Sequence, residues 1–85
     1  MRVDQQYIND VCSELVQIDS RNPALTLDGP GEEEIGQQVG SYLKDLGCQV
    51  AVQQLAPGRV NVVGVIPGAE EGPSLLWNGH LDTVG

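Results

Sequence analysis

Val3, Tyr7, Ile8, Val11, Cys12, Leu15 and Val16 follow one another at spacings of one, three and four, which gathers them on one face at the helical period. The spacing predicts a first helix that runs to about Ile18 or Asp19 and stops where Ser20, Asn22 and Pro23 turn the chain, because a residue before proline avoids the helical region. Residues 23–31 read as an irregular loop. Ile35, Val39, Tyr42, Leu43 and Leu46 then restore the helical period. Glu32, Glu33 and Glu34 stand in the first turn of this second helix, where the dipole favours negative charge, and Gly47 closes it. Gly36 and Gly40 each cost a helix about 1 kcal/mol relative to alanine, so they are expected where the helix lies close to a neighbour. The pattern next changes to period two. Cys48, Val50 and Val52 alternate with Gln49, Ala51 and Gln53, as in a half-buried strand, and Ala56-Pro57-Gly58 turns into a second strand over residues 59–66. A hairpin is predicted. Beyond a second turn at residues 67–73, residues 74–78 are apolar on consecutive positions, the pattern of an inner strand buried on both faces. The expected class is therefore α/β: two amino-terminal helices, a β-hairpin and an inner strand forming the start of an α/β sheet. With no internal repeat, linker or low-complexity tract, residues 1–85 read as one unit.

Composition narrows the partners. Eighty-five residues are near the size at which one core supplies only about 3–5 kcal/mol. The apolar fraction of 40% suffices for a core, but with three aromatics and no phenylalanine it must be aliphatic. A net charge of -8 with four basic residues argues against nucleic acid and against an anionic membrane surface, which both require lysine and arginine. The polar start Met1-Arg2-Val3-Asp4-Gln5-Gln6 resembles no leader, and no apolar run approaches the roughly 18 residues of a span. A cytoplasmic location is the expectation. Cys12 and Cys48 lack the close spacing of a zinc knuckle, and buried free thiols are expected.

The chemistry concentrates in the last eleven residues. An apolar run enters Asn78-Gly79-His80-Leu81-Asp82, with the single histidine and an aspartate two positions later. In an extended backbone side chains at i and i+2 share a side, so the Asp82 carboxylate can take one ring N–H of His80 and leave the other nitrogen to face a cleft. Metal-binding histidines are held in this way, and loss of the carboxylate typically costs about 10–100-fold in affinity or activity. A histidine alone is more often a surface or packing residue, and Asp82 or Thr83 alone would equally serve a helix cap or a turn amide. A catalytic zinc takes three protein ligands and a water, more than this pair supplies. The other polar clusters invite plainer interpretations. Glu70-Glu71 lies between Gly68 and Gly72 in a turn and is expected to be solvated. Gly29, Gly31 and Gly36 have no phosphate-binding spacing, and Ser20 and Ser41 lack the elbow of a serine hydrolase.

Trp77-Asn78-Gly79-His80-Leu81-Asp82-Thr83-Val84 resembles the first metal-ligand signature of the M20 metallopeptidase family. That family takes in acetylornithine deacetylases, succinyl-diaminopimelate desuccinylases, aminoacylases and carboxypeptidases. Upstream, Asp19-Ser20-Arg21-Asn22-Pro23, Gly31-Glu32, Leu46-Gly47, Arg59-Val60-Asn61-Val62-Val63-Gly64 and Pro67-Gly68 are similar to it in order and spacing. Many members have proline where this chain has Gly85. The resemblance implies the amino-terminal part of a catalytic domain with two metal ions, zinc in most members, with cobalt or manganese as alternatives. It makes His80 a metal ligand and Asp82 the catalytic-site residue that steadies it. The substrate would be a small peptide or an N-acyl amino acid, its amide cleaved by a metal-activated water. The family's bridging aspartate, general-base glutamate, further ligands and lid domain come later in its pattern than these residues. The chain alone is therefore expected to be inactive. The alternative is a non-catalytic α/β interaction module that pairs through its sheet edge with a partner chain or with a copy of itself as a homo-oligomer.

Overall fold

Four regular elements follow one another in the structure, a computed structural model that describes residues 3–84: α1 (Gln5–Val16), α2 (Glu33–Asp45), β1 (Gln49–Ala56) and β2 (Arg59–Val65). Met1, Arg2 and Gly85, on which the readings of the chain start and of the missing proline fall, lie outside the described residues. The α/β class and the order of two helices followed by a hairpin are as expected.

Asp4 caps α1, its carboxylate accepting from the Tyr7 N–H at 3.1 Å, which satisfies one of the free donors of the first turn. The helix ends at Val16, before Ile18. Its apolar face stays largely open: no residue of α1 is buried, Val11 and Leu15 are half-buried, and Val3, Tyr7, Ile8 and Val16 are exposed. Cys12 is exposed as well, contrary to the expectation of a buried thiol, because its side of the helix is left uncovered; Cys48 is half-buried, and both are free.

The second helix is where the fold is held. Glu33 and Glu34 occupy its first turn and Lys44 its last, matching the dipole. At its end the Gly47 N–H donates to the Lys44 carbonyl at 2.9 Å and the Cys48 N–H to the Leu43 carbonyl at 2.9 Å. This pair of bonds is a Schellman cap, which requires the positive φ of +93° at Gly47. The exit it sets leads straight into β1.

β1 and β2 pair antiparallel, with Val50 opposite Gly64 and Val52 opposite Val62. The register is broken by a bulge between Gln54 and Ala56 next to the Pro57-Gly58 turn. The helix lies across one face of this hairpin. A methyl built on Gly36 would stand 2.7 Å from Val60 Cγ2, and one on Gly40 would stand 3.5 Å from Val50 Cγ1. The glycines thus admit the close approach expected of them. Val60 on the hairpin and Ile35 on α2 are the buried hydrophobic residues, each side chain contributing about 1.5–3 kcal/mol by burial. The radius of gyration, 14.6 Å, exceeds the roughly 12 Å of a compact chain this long.

The inner strand does not form. Residues 74–78 have no ladder partner among the described residues, and Leu75, Leu76 and Trp77 are about 80%, 84% and 78% exposed. A run apolar on consecutive positions needs neighbours on both faces, and neither helix nor hairpin covers it. The chain instead returns at its end: Thr83 N–H donates to the Ser20 carbonyl at 3.0 Å and Asn22 N–H to the Thr83 carbonyl at 2.8 Å. This isolated parallel bridge, Arg21 to Thr83, docks the final segment on the loop after α1.

Candidate functional site

His80 and Asp82 meet as their spacing predicts. His80 Nδ1 lies 3.2 Å from Asp82 Oδ1 and 3.0 Å from the Asp82 backbone carbonyl. Both neighbours are acceptors, so the proton belongs on Nδ1 and the lone pair on Nε2. The His80 side chain is about 85% exposed and that of Asp82 about 28%. The imidazole is thus held at its inner nitrogen and presented at its outer one.

Asp82 is anchored from the other side. Its Oδ2 accepts from Asn22 Nδ2 at 2.8 Å, and this bond, ahead of the weaker contribution from His80, holds the carboxyl below the usual aspartate range. Asn22 Oδ1 accepts from the Ala24 N–H at 2.8 Å and faces Arg59 Nη1 at 3.4 Å. Arg59 Nε in turn reaches both oxygens of Glu32, at 2.8 and 3.0 Å. A continuous polar chain therefore runs from the start of α2, through the first residue of β2, to the imidazole.

Glu32 departs from its expected place. It precedes α2, makes no capping bond with its side chain, and is buried against Arg59 and the Val60 N–H. Its own N–H donates to the Gly58 carbonyl at 2.9 Å. The available sequence signal was scarcity: four basic residues against twelve acidic ones leave an arginine at a strand start few roles but pairing. Asn22 carried no such signal, since its partner lies sixty positions away in sequence. Ser20 is buried at 2% exposure with its hydroxyl 3.5 Å from that of Thr83, a packing role and not a nucleophile's. Glu70 and Glu71 are exposed in a bend, as expected of a solvated turn.

A groove of about 680 Å³ separates the outer side of β2 from residues 76–82, and His80, Asp82, Glu32 and Arg59 all line it. Among the described residues no group of three or more histidine, cysteine, aspartate or glutamate side chains converges. What the site offers a cation is a single neutral nitrogen donor with a carboxylate behind it, a donor set that fits one ligand position of a metal site. No helix among the described residues is long and apolar enough to cross a membrane.

No family model matches the chain, and no solved structure matches it. Curated proteins to which it is similar include an acetylornithine deacetylase of Aliivibrio fischeri, 33% identical over 54 residues. Similar proteins of the same name occur in Vibrio atlanticus, 37% identical over 54 residues, and Vibrio cholerae, 33% identical over 54 residues. Each match takes in 64% of this chain but only 14% of the relative's length. Acetylornithine deacetylases are among the groups that the M20 resemblance names, so the two likenesses point the same way.

Proposed function

We propose that this chain forms the amino-terminal part of a metal-dependent hydrolase that cleaves peptide or N-acyl amide bonds, with His80 as one ligand and Asp82 as its orienting carboxylate. The observation that carries the reading is the His80 ring, pinned at Nδ1 by two acceptors and exposed on a residue that lines a groove. The similarity to acetylornithine deacetylases supports a deacylase-like substrate, an N-acyl amino acid or small peptide. Zinc suits a nitrogen donor of this kind, with cobalt or manganese as alternatives, and the family resemblance implies two ions. Such an ion supplies Lewis acidity, acidifying a water and polarising the scissile carbonyl. The part of this chain is narrower: Asp82 keeps the Nδ1 proton in place, Nε2 keeps its lone pair, and Asn22 and Arg59 tie the pair to the hairpin. The acidic surface fits neither nucleic acid nor an anionic membrane, and we place the protein in the cytoplasm.

Zinc titration of the purified chain by calorimetry, wild type beside His80→Ala, tests the ligand role. Weak binding by wild type and none by the variant is expected; equal heats from both would sink the assignment. Hydrolysis of N-acetyl amino acids by the chain alone is expected to be absent with or without zinc, since the general-base glutamate that the resemblance implies is not among its residues.

One observation favours a second reading, an interaction module without catalysis. Among the described residues the sheet has two strands and the outer edge of β2 is unpaired, and Val63 and Val65 are exposed on the face turned away from α2. Such an edge is a template for pairing with a partner chain or a second copy. In that case His80→Ala and wild type would self-associate alike by size exclusion.

A further inference from the structure

Among the described residues the segment that carries His80 has no strand neighbour to hold it. Residues 66–81 make no backbone bond to a helix or strand, and Leu75 to Asn78 are exposed. Its described attachments lie at Ser20 and Asn22. Of these, the side-chain bond from Asn22 is the one that reaches the carboxylate contacting His80.

We infer that Asn22 is a positioning residue for the His80–Asp82 pair: its Nδ2 donor orients the Asp82 carboxylate so that the remaining oxygen meets His80 Nδ1 and the imidazole is kept in the Nδ1–H form. The backbone N–H and both polar side-chain atoms of Asn22 serve this, while its carbonyl closes the local turn by accepting from Leu25 and Thr26. The backbone N–H holds the Thr83 carbonyl at 2.8 Å, Oδ1 is fixed by the Ala24 N–H at 2.8 Å, and Nδ2 meets Asp82 Oδ2 at 2.8 Å. With Oδ1 fixed by Ala24 and faced by Arg59, Nδ2 is turned toward Asp82 and the amide cannot flip without facing donor against donor. Arg59 is itself locked on Glu32 at the base of α2. The orientation of an exposed imidazole is thus referred back to the helix and hairpin, the part of the molecule that has a core, as a precise site requires of its supporting groups.

The inference rests on the reading of His80 as the presented ligand only for its consequence in metal binding; the positioning itself is tested separately. Asn22→Asp keeps the Oδ1 acceptor for Ala24 and Arg59 but replaces the donor with an oxygen facing Asp82. Nitrogen spectra of the His80 ring, recorded where it is neutral, should show one Nδ1–H tautomer in wild type and a mixture of both in Asn22→Asp, with the backbone amide spectrum of α2 and the hairpin unchanged. Identical ring signals in the two proteins overturn the inference. Should Asn22→Asp fail to fold, the wild-type Asn22 amide decides. One Nδ2 proton shifted and protected from exchange, and released in Asp82→Ala, supports the inference; free, equivalent exchange in wild type overturns it. A parallel zinc titration separates the two claims. A tautomer released by Asn22→Asp in a chain that binds no zinc leaves the positioning intact and removes the ligand reading, whereas zinc affinity lowered about 10–100-fold in that variant, the usual scale for lost supporting groups, supports both.

Discussion

Asp82 is where pH should act first. Its carboxyl is held low chiefly by Asn22, with smaller contributions from a backbone hydrogen bond and then from His80, so its ionised form is favoured in the folded chain over the unfolded one. For a depressed carboxyl, the stabilisation is complete above the unfolded value of about 3.9 and is lost as pH falls through the lower folded value. The docking of residues 80–83 on the loop at Asn22 should therefore persist through mildly acidic solution and release below the ordinary aspartate range. Amide chemical shifts of Thr83 and Asn22 followed together through that range would register it; release at pH 6, with Asp82 still ionised, would contradict the assigned cause. At this scale the sequence was legible for neighbours and silent on distant partners. The His80–Asp82 contact follows from i, i+2 geometry, while the Asn22–Asp82 and Glu32–Arg59 bonds join residues whose proximity arises only after the chain has folded back.

The two glycines of α2 give a paired test at the scale of the element. Alanine at either position would gain about 1 kcal/mol of helix propensity. At Gly40 the new methyl meets Val50 at an ordinary 3.5 Å, so Gly40→Ala should stabilise the chain by up to about 1 kcal/mol. At Gly36 it meets Val60, itself 4% exposed, at 2.7 Å, and overpacking of about 1–3 kcal/mol outweighs the propensity. Gly36→Ala should destabilise by about 1 kcal/mol. Denaturant unfolding of both variants checks the pair, and equal shifts would mean that α2 does not press on the hairpin at Gly36. The period of the apolar residues was enough to find each helix and the hairpin, because amphipathic period and turn chemistry are local. It did not reveal that α1 would leave most of its face open, nor that residues 74–78 would stay unpaired. Both outcomes depend on which surfaces are available to cover them, and periodicity carries no such information.

For the whole molecule, a largely open α1 face, a β2 edge unpaired among the described residues and exposed Leu75, Leu76 and Trp77 lead to the prediction of association. Large exposed apolar surface is uncommon on monomers. Sedimentation at increasing concentration should show the chain passing from monomer to larger species, and Val63→Lys, which sets a charge on the outward face of β2, should suppress the passage if that face is the contact. Unaltered association in that variant would assign it to the helix or the final segment instead. By itself the sequence determined the α/β class, both helices and the Gly47 close of α2, the hairpin, the solvated acidic turn and the meeting of His80 with Asp82. All are set by interactions within a few residues or by a fixed period along the chain. Only the tertiary structure decided that Glu32 is buried against Arg59, that the histidine segment is tethered through Asn22 instead of by an inner strand, and that Cys12 and most of the face of α1 stay open. These are properties of which surfaces come together in space, and long-range contacts depend on every intervening turn.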